Sequence, residues 1–248
     1  NVLRSKKGLK AEKKASGVAA DGILRTSQGD NIATLIEINS ETDFAAKDSN
    51  FIEFTDEVHS YISSKKVDDI AEFLDSDIEK KRQALIQTIG ENIQLRRLET
   101  VSIDSGMNAG VYLHSDSKLA AVVVISGGDE SLAKDIAMHV AAFNPLCLSQ
   151  DDIDPQVLER EKAIYVVQAE ESGKPQEIME KMIEGKLNRF LSEVSLLSQG
   201  FVKDSDTTIQ KLLEANNAKI ESFSRLKVGE GIEVETKNFA DEVAEQLK

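Results

Sequence analysis

The sequence predicts an α+β fold with two related subdomains, each a three-stranded antiparallel sheet covered by helices. Three observations support this prediction. A unit of strand, polar turn, strand, two helices and a final strand occurs twice along the chain. The turns between the paired strands are short enough for antiparallel hairpins. The chain has 248 residues, of which 40% are hydrophobic, so it can bury one or two cores.

The first copy of the repeat begins at Gly22, which precedes the short strand ILRT. The polar turn SQGDN leads to the alternating strand IATLIEI, from Ile32 to Ile38. One face of the next helix carries four apolar side chains, Phe51, Phe54, Val58 and Tyr61. A capping-box pattern at Ser76 and Glu79 predicts the start of a second helix, which Gly90 ends. The strand NIQLRRLETV completes the unit.

The second copy follows the same order. Gly110 precedes the strand VYLH, the turn SDSK follows, and LAAVVVI forms the next strand from Leu119 to Ile125. The matching helix has an apolar face made by Leu132, Ile136, Val140 and Phe143. Thr207 and Gln210 are expected to open the last helix, before the strand KIESFSRLKV.

The two copies differ between the second strand and the first helix. The first copy has the twelve residues Asn39 to Asn50 at this point, whereas the second has the six residues Ser126 to Ser131. Since the scaffold's core is satisfied without the extra residues, they are more often functional than structural. The stretch NSETDFAAKDSN is therefore a candidate functional loop.

The second copy has its own insertion, from Pro155 to about Leu191. Apolar residues recur there at helical spacing, namely Leu158, Tyr165, Ala169, Ile178, Met182 and Leu187. Gly173 suits a helix end and Pro175 a first turn, which predicts a protruding antiparallel helical hairpin. Such an arm has too little surface to bury its apolar stripe alone, so we expect it to pack against another chain or another part of its own.

Charge and composition exclude several classes of function. The chain has 44 acidic and 30 basic residues and a net charge of −14, which disfavours binding to a nucleic-acid backbone. The longest apolar run, Leu119 to Ile125, is far shorter than the ~20 residues of a membrane-spanning helix, and no signal segment opens the chain. Cys147 is the only cysteine, and three histidines form no zinc-type pattern. We therefore expect a soluble protein of the cytoplasm or an organelle interior, with proteins as partners and no cofactor.

Sequence signatures of enzymes are missing. The chain has no GxxxxGK[ST] phosphate loop and no GxGxxG after a strand. GxSxG and HExxH motifs are also absent. Carboxylate pairs carry little information in a chain this acidic. The sequence gives no support for bond-making chemistry.

Several single residues have two interpretations. Phe44 is either a core residue of a short helix capped by Thr42 or an exposed contact for a partner. Asp43 is by default an acid in the first turn of a helix. His114 ends a strand beside a polar turn, where a contact role and a structural role are equally compatible with the pattern. His139, on the apolar face of a helix, is expected to be a core histidine.

The segment TDFAAKDSNF resembles the TDFV segment of the bacterial elongation factor Ts family, the guanine-nucleotide exchange factors of elongation factor Tu. Five more segments are similar in the same order: KAEKKASGVAADGIL, IGENI with RR after it, MHVAAFNP, SGKPQEIMEKMIEGKL and FSRLKVGEGIE. The resemblance runs essentially from Asn1 to Lys248. The family's N-terminal helical domain is expected to be missing, with residues 1–18 forming a linker and the end of that domain. Ala45 stands where the family commonly has valine, and we expect this loss of two methyl groups to loosen the loop.

The resemblance implies a role for the loop residues. Asp43 and Phe44 would enter the partner GTPase near its magnesium site, and Thr42 and Ala45 would shape the loop. Other contacts with the nucleotide-binding domain would fall on Ile89, Gly90 and His114, the last in the setting Tyr112-x-His114. The protein would then be no enzyme but an exchange factor that acts through protein–protein contact.

The resemblance also implies a division of the chain. Residues 19–104 would form the first core subdomain, residues 105–153 and 194–236 the second, and residues 154–193 the helical hairpin. The second subdomain would grip a more distant domain of elongation factor Tu. A C-terminal helix over 237–248, with Phe239, Val243 and Leu247 at fourfold spacing, would dock on the GTPase. Direct binding of nucleotide, nucleic acid or membrane is not expected. The alternative is an assembly protein, such as a dimer held by the hairpin, without exchange activity.

Overall fold

The structure, a computed structural model, describes residues 17–233. The predicted C-terminal helix over 237–248 and nearly all of the predicted linker over 1–18 lie outside these residues. Within them, the chain forms helices and two antiparallel three-stranded sheets, which confirms the predicted α+β class.

The first sheet has β2 at its centre. Its strands are Asp21–Gln28 (β1), Ile32–Ser40 (β2) and Gln94–Ser102 (β3). Both neighbours run antiparallel to β2, as expected for hairpin-type connections. The ladder between β2 and β3 shifts by one residue between Glu37 and Ile38, as it does at a β-bulge.

Helices cover one face of this sheet. They are Asp43–Ala46 (α1), Ser49–Lys65 (α2) and Asp77–Ile89 (α3), with a short 3₁₀ turn at Ile70–Phe73. Ser76 caps α3 as predicted, and its hydroxyl accepts from the N–H of Ile78 at 3.2 Å. Glu79 does not complete the predicted capping box; its carboxylate pairs with Arg82 at 2.7 Å instead. Gly90 ends α3 at φ 87°, as predicted for a helix-ending glycine.

The second half repeats this arrangement with additions. Its strands are Met107–Leu113 (β4), Leu119–Ser126 (β5), Gly200–Phe201 (β6), Asp204–Thr208 (β7) and Lys219–Lys227 (β8). Its helices are Glu130–Phe143 (α4), Pro155–Glu171 (α5), Gln176–Val194 (α6) and Ile209–Ala215 (α7), with 3₁₀ turns at Gln150–Asp152 and Leu196–Ser198. The second sheet has the order β4-β5-β8, and β6 pairs with β7 in a small hairpin that the sequence did not predict.

The start of α7 corrects one sequence-based expectation. Thr208, not Thr207, is the N-cap, and its hydroxyl accepts from the N–H of Lys211 at 3.3 Å. Thr207 lies in β7 and donates to the carboxylate of Asp204 at 2.7 Å. The hydroxyl of Thr207 is bonded to Asp204, and Thr208 caps the helix, which therefore begins one residue later than predicted.

The two sheets pack face to face, so the core has four layers: helices, sheet, sheet, helices. The layer between the sheets is built mainly from Leu24, Ala33, Leu35, Ile103, Ala109, Ala120, Val122, Val124 and Leu226. This packing explains why LAAVVVI is apolar throughout. Its even-numbered residues from Ala120 to Val124 face the first sheet, while Ala121, Val123 and Ile125 face the helices of their own half.

Gly110 allows a helix to approach the second sheet closely. It lies within β4, not before the strand as predicted. A Cβ atom at this position would stand 2.1 Å from the backbone nitrogen of Lys134 in α4. Only glycine therefore permits this spacing between α4 and the sheet.

A buried polar cluster joins the two halves. Glu37, on the central strand of the first sheet, is fully buried. Its carboxylate accepts hydrogen bonds from Arg96 at 3.0 Å, from Arg97, from Asn39 at 2.9 Å and from the N–H of Gly229 at 2.8 Å. We call these residues the Glu37 cluster. Burial alone raises the pKa of Glu37, but the hydrogen bonds from Gly229, Asn39 and Arg97 and the charge of Arg97 outweigh burial and hold the pKa below its ordinary value of 4.5.

The arginines of the cluster also hold the chain that follows β8. Arg96 donates to the carbonyl of Glu230 and Arg97 to the carbonyl of Lys227, both at 2.7 Å. The cluster therefore fixes the end of the second sheet against the first.

Helices α5 and α6 form the predicted antiparallel hairpin, which we call the arm. Gly173 at φ 62° stands in the turn between them. The ammonium group of Lys186 lies 5.5 Å from the centre of the Tyr165 ring. Ile164, Val167 and Ile178 of the arm are about half exposed. Across residues 17–233, no helix combines the length and the apolar character needed to cross a membrane.

Candidate functional site

The candidate loop of the first half contains a one-turn helix. After β2 ends at Ser40, Thr42 adopts an extended conformation and caps α1, and its hydroxyl accepts from the N–H of Ala45 at 3.2 Å. Ala45 and Ala46 are buried. The end of the loop is therefore anchored in the core while its tip, Asp43 and Phe44, faces outward.

Phe44 is 80% exposed. This exposure decides between the two interpretations of the residue, because a core role is excluded in this conformation. A single exposed apolar residue is common on protein surfaces. Phe44 differs from such a residue because a short, capped helix holds it at the tip of an insertion on the repeated scaffold.

Asp43 forms an ion pair with a lysine of its own loop. Its carboxylate accepts from the ammonium of Lys47, four residues later, at 2.7 Å. This hydrogen bond is the largest cause of a pKa of Asp43 below its ordinary value of 3.8. Burial opposes it, and the charges of Lys47 and Lys118 add to the lowering. Asp43 is therefore a carboxylate at neutral pH, and it is also the first-turn helix acid expected from its default interpretation.

The loop is fastened to the residues that follow Gly90. The N–H and the hydroxyl of Thr42 donate to the carboxylate of Glu91 at 3.0 and 2.8 Å. In return, the N–H of Asn92 donates to the carboxylate of Glu41 at 2.6 Å. We call these two carboxylate contacts the reciprocal latch. It brings the end of α3, with the partly buried Ile89 and the helix-ending Gly90, beside the loop.

The turn that contains His114 reaches the same region from the second sheet. The ring nitrogen Nδ1 of His114 lies 2.8 Å from the carboxylate of Asp116, which also accepts from the N–H of Lys118 at 2.9 Å. The contact with His114 is the largest cause of a lowered pKa of Asp116, and the bond from Lys118 adds to it. His114 is about half exposed and orders the turn through Asp116.

Bonds to β1 hold this turn in place. The ammonium of Lys118 forms an ion pair with Asp21 and donates to the carbonyl of Gly22 at 2.6 Å. The N–H of Leu24 donates to the carbonyl of Ser117 at 2.7 Å. The turn of the second sheet is thereby docked on the edge strand of the first.

A cleft of about 500 Å³ separates the turn from the loop. Asp43 and Lys47 line one side, and Asp116, Ser117 and Lys118 line the other. Segments that are distant in the sequence therefore meet around one opening. In the described part of the chain, no group of three or more His, Cys, Asp or Glu side chains is placed to hold a metal ion. The arrangement suits non-covalent contact, with an apolar ring and a carboxylate at the tip.

The sequence does not predict the contacts of four residues in this region: Glu41, Glu91, Asp116 and Lys118. Glu91 follows the helix-ending glycine directly, and Asp116 stands in the turn beside His114. These positions are the signals that could have pointed to them. In a chain with 44 acidic residues, such signals do not distinguish one carboxylate from another.

Comparison with known proteins gives a consistent set of relatives. A family model described as "Elongation factor TS" matches residues 41–230. Elongation factor Ts of Hahella chejuensis is 47% identical over 248 residues, which cover 99% of this chain and 86% of that relative. Elongation factor Ts of Hydrogenovibrio crunogenus is 44% identical over 250 residues, with coverages of 98% and 84%. That of Francisella tularensis subsp. novicida is 47% identical over 245 residues, with coverages of 96% and 83%.

Proposed function

The chain belongs to the elongation factor Ts family of translation elongation factors, and we propose that it is a guanine-nucleotide exchange factor that binds elongation factor Tu and promotes release of GDP. The observation that carries this proposal is the exposed ring of Phe44 beside the ionised Asp43, on a helix tip that is anchored in the core.

The mechanism proposed is a wedge. In P-loop GTPases, Mg²⁺ bridges a nucleotide phosphate and a hydroxyl of the protein, and the ion requires near-ideal octahedral oxygen geometry. A phenyl ring inserted beside this site disturbs the geometry, and the carboxylate of Asp43 adds a negative charge near the phosphates. Thr42 and Ala45 act by holding the tip. Ile89, Gly90 and His114 contact the nucleotide-binding domain around it.

Thermodynamic reciprocity then drives the cycle. If the factor weakens the binding of GDP, then GDP must weaken the binding of the factor to the same extent. The two ligands displace each other through a short-lived ternary complex, and GTP binds to the emptied site. No covalent step is needed, so the protein is an exchange factor and not an enzyme in the usual sense.

The proposed division of labour follows the two halves. Residues 19–104 carry the wedge, and residues 105–153 with 194–236 grip a more distant domain of elongation factor Tu. Residues 154–193 form a contact arm. A translation factor of this kind works in the cytoplasm. The docked turn at His114 supports a fixed spacing of the two grips, because it ties the sheets together beside the wedge.

The test is the release of a fluorescent GDP from preloaded elongation factor Tu, recorded by stopped flow against excess unlabelled GDP. We expect an acceleration that rises with the concentration of this protein and then saturates. An unrelated acidic protein of similar size serves as the control. If saturating protein leaves the release rate at its spontaneous value, the exchange proposal is wrong.

A second candidate function is assembly through the arm. The half-exposed Ile164, Val167 and Ile178 favour it, since apolar side chains on a protruding hairpin suit a contact with a second copy. Sedimentation equilibrium of the protein alone distinguishes this function. A concentration-dependent dimer that is lost in a variant with all three residues changed to serine supports assembly, whereas a monomer at all concentrations excludes it.

A further inference from the structure

We propose that Glu91, supported by Glu41, is a positioning residue for nucleotide exchange. Through the reciprocal latch, it holds the α1 tip and the end of α3 as one contact element. This inference rests on the proposed function and extends it to residues that do not themselves enter the partner's nucleotide site.

The first argument concerns the hydroxyl of Thr42. A hydroxyl group has one proton to donate and two lone pairs to accept. In Thr42 the proton goes to Glu91 at 2.8 Å, and a lone pair accepts the N–H of Ala45 at 3.2 Å. Glu91 therefore fixes the rotation of the hydroxyl that caps α1. Without it, the cap loses the partner that orients it.

The second argument concerns the direction of the contacts. The carboxylate of Glu91 accepts a hydrogen bond from the N–H of Thr42 at 3.0 Å, and the carboxylate of Glu41 accepts one from the N–H of Asn92 at 2.6 Å. Each of the two segments, 41–42 and 91–92, thus contributes one carboxylate that accepts from a backbone N–H of the other segment. In each segment the carboxylate and the donating N–H belong to adjacent residues. With the contact at one carboxylate alone, the loop could still rotate about it relative to the end of α3. The second contact, which runs in the opposite direction, prevents this rotation.

The third argument concerns what lies on either side of the latch. Phe44 stands two residues after Thr42, and Gly90 directly precedes Glu91. Both are predicted contact residues for the same partner domain. A latch between them sets the distance from the wedge to the neighbouring contact, which matters because a misplacement of about 1 Å can cost up to two orders of magnitude in rate.

The contact of Glu91 with Thr42 is at the surface, so its loss should leave the protein folded, whereas the other half of the latch reaches the buried Asn92. Thr42 is exposed, and Glu91 is only partly buried. Variants of Glu91 therefore report on positioning, separate from folding.

The experiment compares three variants of the full chain in the GDP-release assay. Glu91→Ala removes both acceptors, whereas Glu91→Gln keeps one carbonyl oxygen that can accept from Thr42. Glu53→Ala removes an exposed acid from the adjacent helix α2 and is the matched control. We expect the maximal rate constant of GDP release to fall on the order of tenfold in Glu91→Ala. The concentration for half-maximal effect should change much less, Glu91→Gln should recover part of the rate, and Glu53→Ala should equal the parent.

Hydrogen–deuterium exchange of the free protein is the second readout, and it needs no partner. We expect the backbone amides of residues 42–46 to exchange faster in Glu91→Ala than in the parent and in Glu53→Ala. If the parent accelerates GDP release and Glu91→Ala does so equally, the positioning role is overturned while the proposed function stands. If the parent itself gives no acceleration, the proposed function fails and the role in exchange fails with it. Unchanged amide exchange in Glu91→Ala overturns the latch itself, whatever the release assay shows.

Discussion

The backbone N–H of Gly229 donates a hydrogen bond of 2.8 Å to the buried carboxylate of Glu37, although 192 positions separate the two residues in the sequence. This bond crosses from the second half of the fold to the central strand of the first. Arg96 and Arg97 neutralise the same carboxylate and hold the carbonyls of Glu230 and Lys227. The contact therefore combines charge pairing with a link between the sheets.

Glu37→Gln should destabilise the protein strongly. The variant leaves two arginines without their carboxylate, and removing one partner of a buried pair costs about 3 kcal/mol or more. We expect a loss of about 3 kcal/mol, and not more, because Arg96 and Arg97 keep about a quarter of their side-chain surface in water. Urea unfolding followed by circular dichroism measures the loss. Glu99→Gln, an exposed change on the edge strand β3, should stay within about 0.5 kcal/mol of the parent. Equal stabilities of parent and Glu37→Gln would contradict the structural role of the cluster.

The effect of Glu37 should depend on pH with a definite sign. The pKa of Glu37 in the folded protein is below its ordinary value of 4.5, so the folded state favours the carboxylate. Its contribution is full above 4.5 and is lost as the pH falls through the folded pKa. The difference in unfolding free energy between parent and Glu37→Gln should therefore be constant near neutral pH and shrink below 4.5. A difference that grows on acidification would show that the pKa is raised, not lowered.

Phe44→Ala should separate function from stability. Since Phe44 is 80% exposed, removal of its ring should change the unfolding free energy by less than about 0.5 kcal/mol. The maximal rate of GDP release should fall roughly tenfold or more, which corresponds to about 1.4 kcal/mol of the activation barrier. Leu74→Ala, an exposed apolar residue of the same half at 64%, is the control and should exchange like the parent. Equal rates for Phe44→Ala and the parent would refute the wedge.

How much of this architecture the sequence predicts depends on the range of the contacts. The main strands and helices of each repeat unit, the cap at Ser76 and the helix end at Gly90 follow from residues a few positions apart, and the sequence predicts them. The role of Glu37 was not predicted, because in IATLIEI it looks like a polar residue on the solvent face of an amphipathic strand. Packing of the second sheet on that face buries it, and no local pattern reports such packing.

The candidate site shows the same limit. The insertion on a repeated scaffold marks the loop as a candidate, and the resemblance to the elongation factor Ts family selects Thr42, Asp43 and Phe44 within it. Glu91 was not identified, since its partner Thr42 is 49 residues away and one acid among many gives no signal. The helix α7 begins one residue later than predicted for a related reason, because the hydroxyl of Thr207 is bonded to Asp204 in the β6–β7 hairpin. Tertiary contacts decided each of these details.

Acidification should also weaken the second half of the fold through His139. Its ring is buried, with Nε2 at 3.0 Å from the side-chain oxygen of Gln199 and Nδ1 accepting from the N–H of Val202 at 3.2 Å. Burial lowers the pKa of His139 from its ordinary value of 6.5, and the bond to Gln199 opposes this only partly. The unfolded chain therefore takes up the proton first, and stability should fall by up to about 1.4 kcal/mol per pH unit below 6.5.

Urea unfolding just above pH 6.5 and about one unit below it measures this dependence. His139→Gln should lose the slope, since the replacement has no titrating group, even though it lowers stability overall. A His139→Gln variant with the full slope would assign the titration to another group.

Two glycines should respond to alanine with opposite signs. Gly110→Ala would place a Cβ atom 2.1 Å from the backbone of α4, so the helix must move away from the sheet at a cost of about 3 kcal/mol. Gly185 lies in the exposed middle of α6, where a Cβ atom would meet no neighbouring atom within 4 Å, and Gly185→Ala should stabilise by about 1 kcal/mol through helix propensity. Thermal unfolding of the two variants against the parent tests both. An unchanged stability of Gly110→Ala would contradict the close approach at that position, and a loss in Gly185→Ala would contradict the open surroundings of Gly185.

The inner layer between the sheets has a consequence for how the two halves depend on each other. One face of each sheet is covered by the helices of its own half. The other face packs against the other sheet, through residues such as Leu35 and Val122. Either half by itself would leave an apolar sheet face in water, so the two halves form a single cooperative unit of folding. The contact between the two halves resembles the interface of a homodimer, except that both partners belong to one polypeptide. If the two copies of the repeat were separate chains, each would have to bind the other to cover its apolar sheet face.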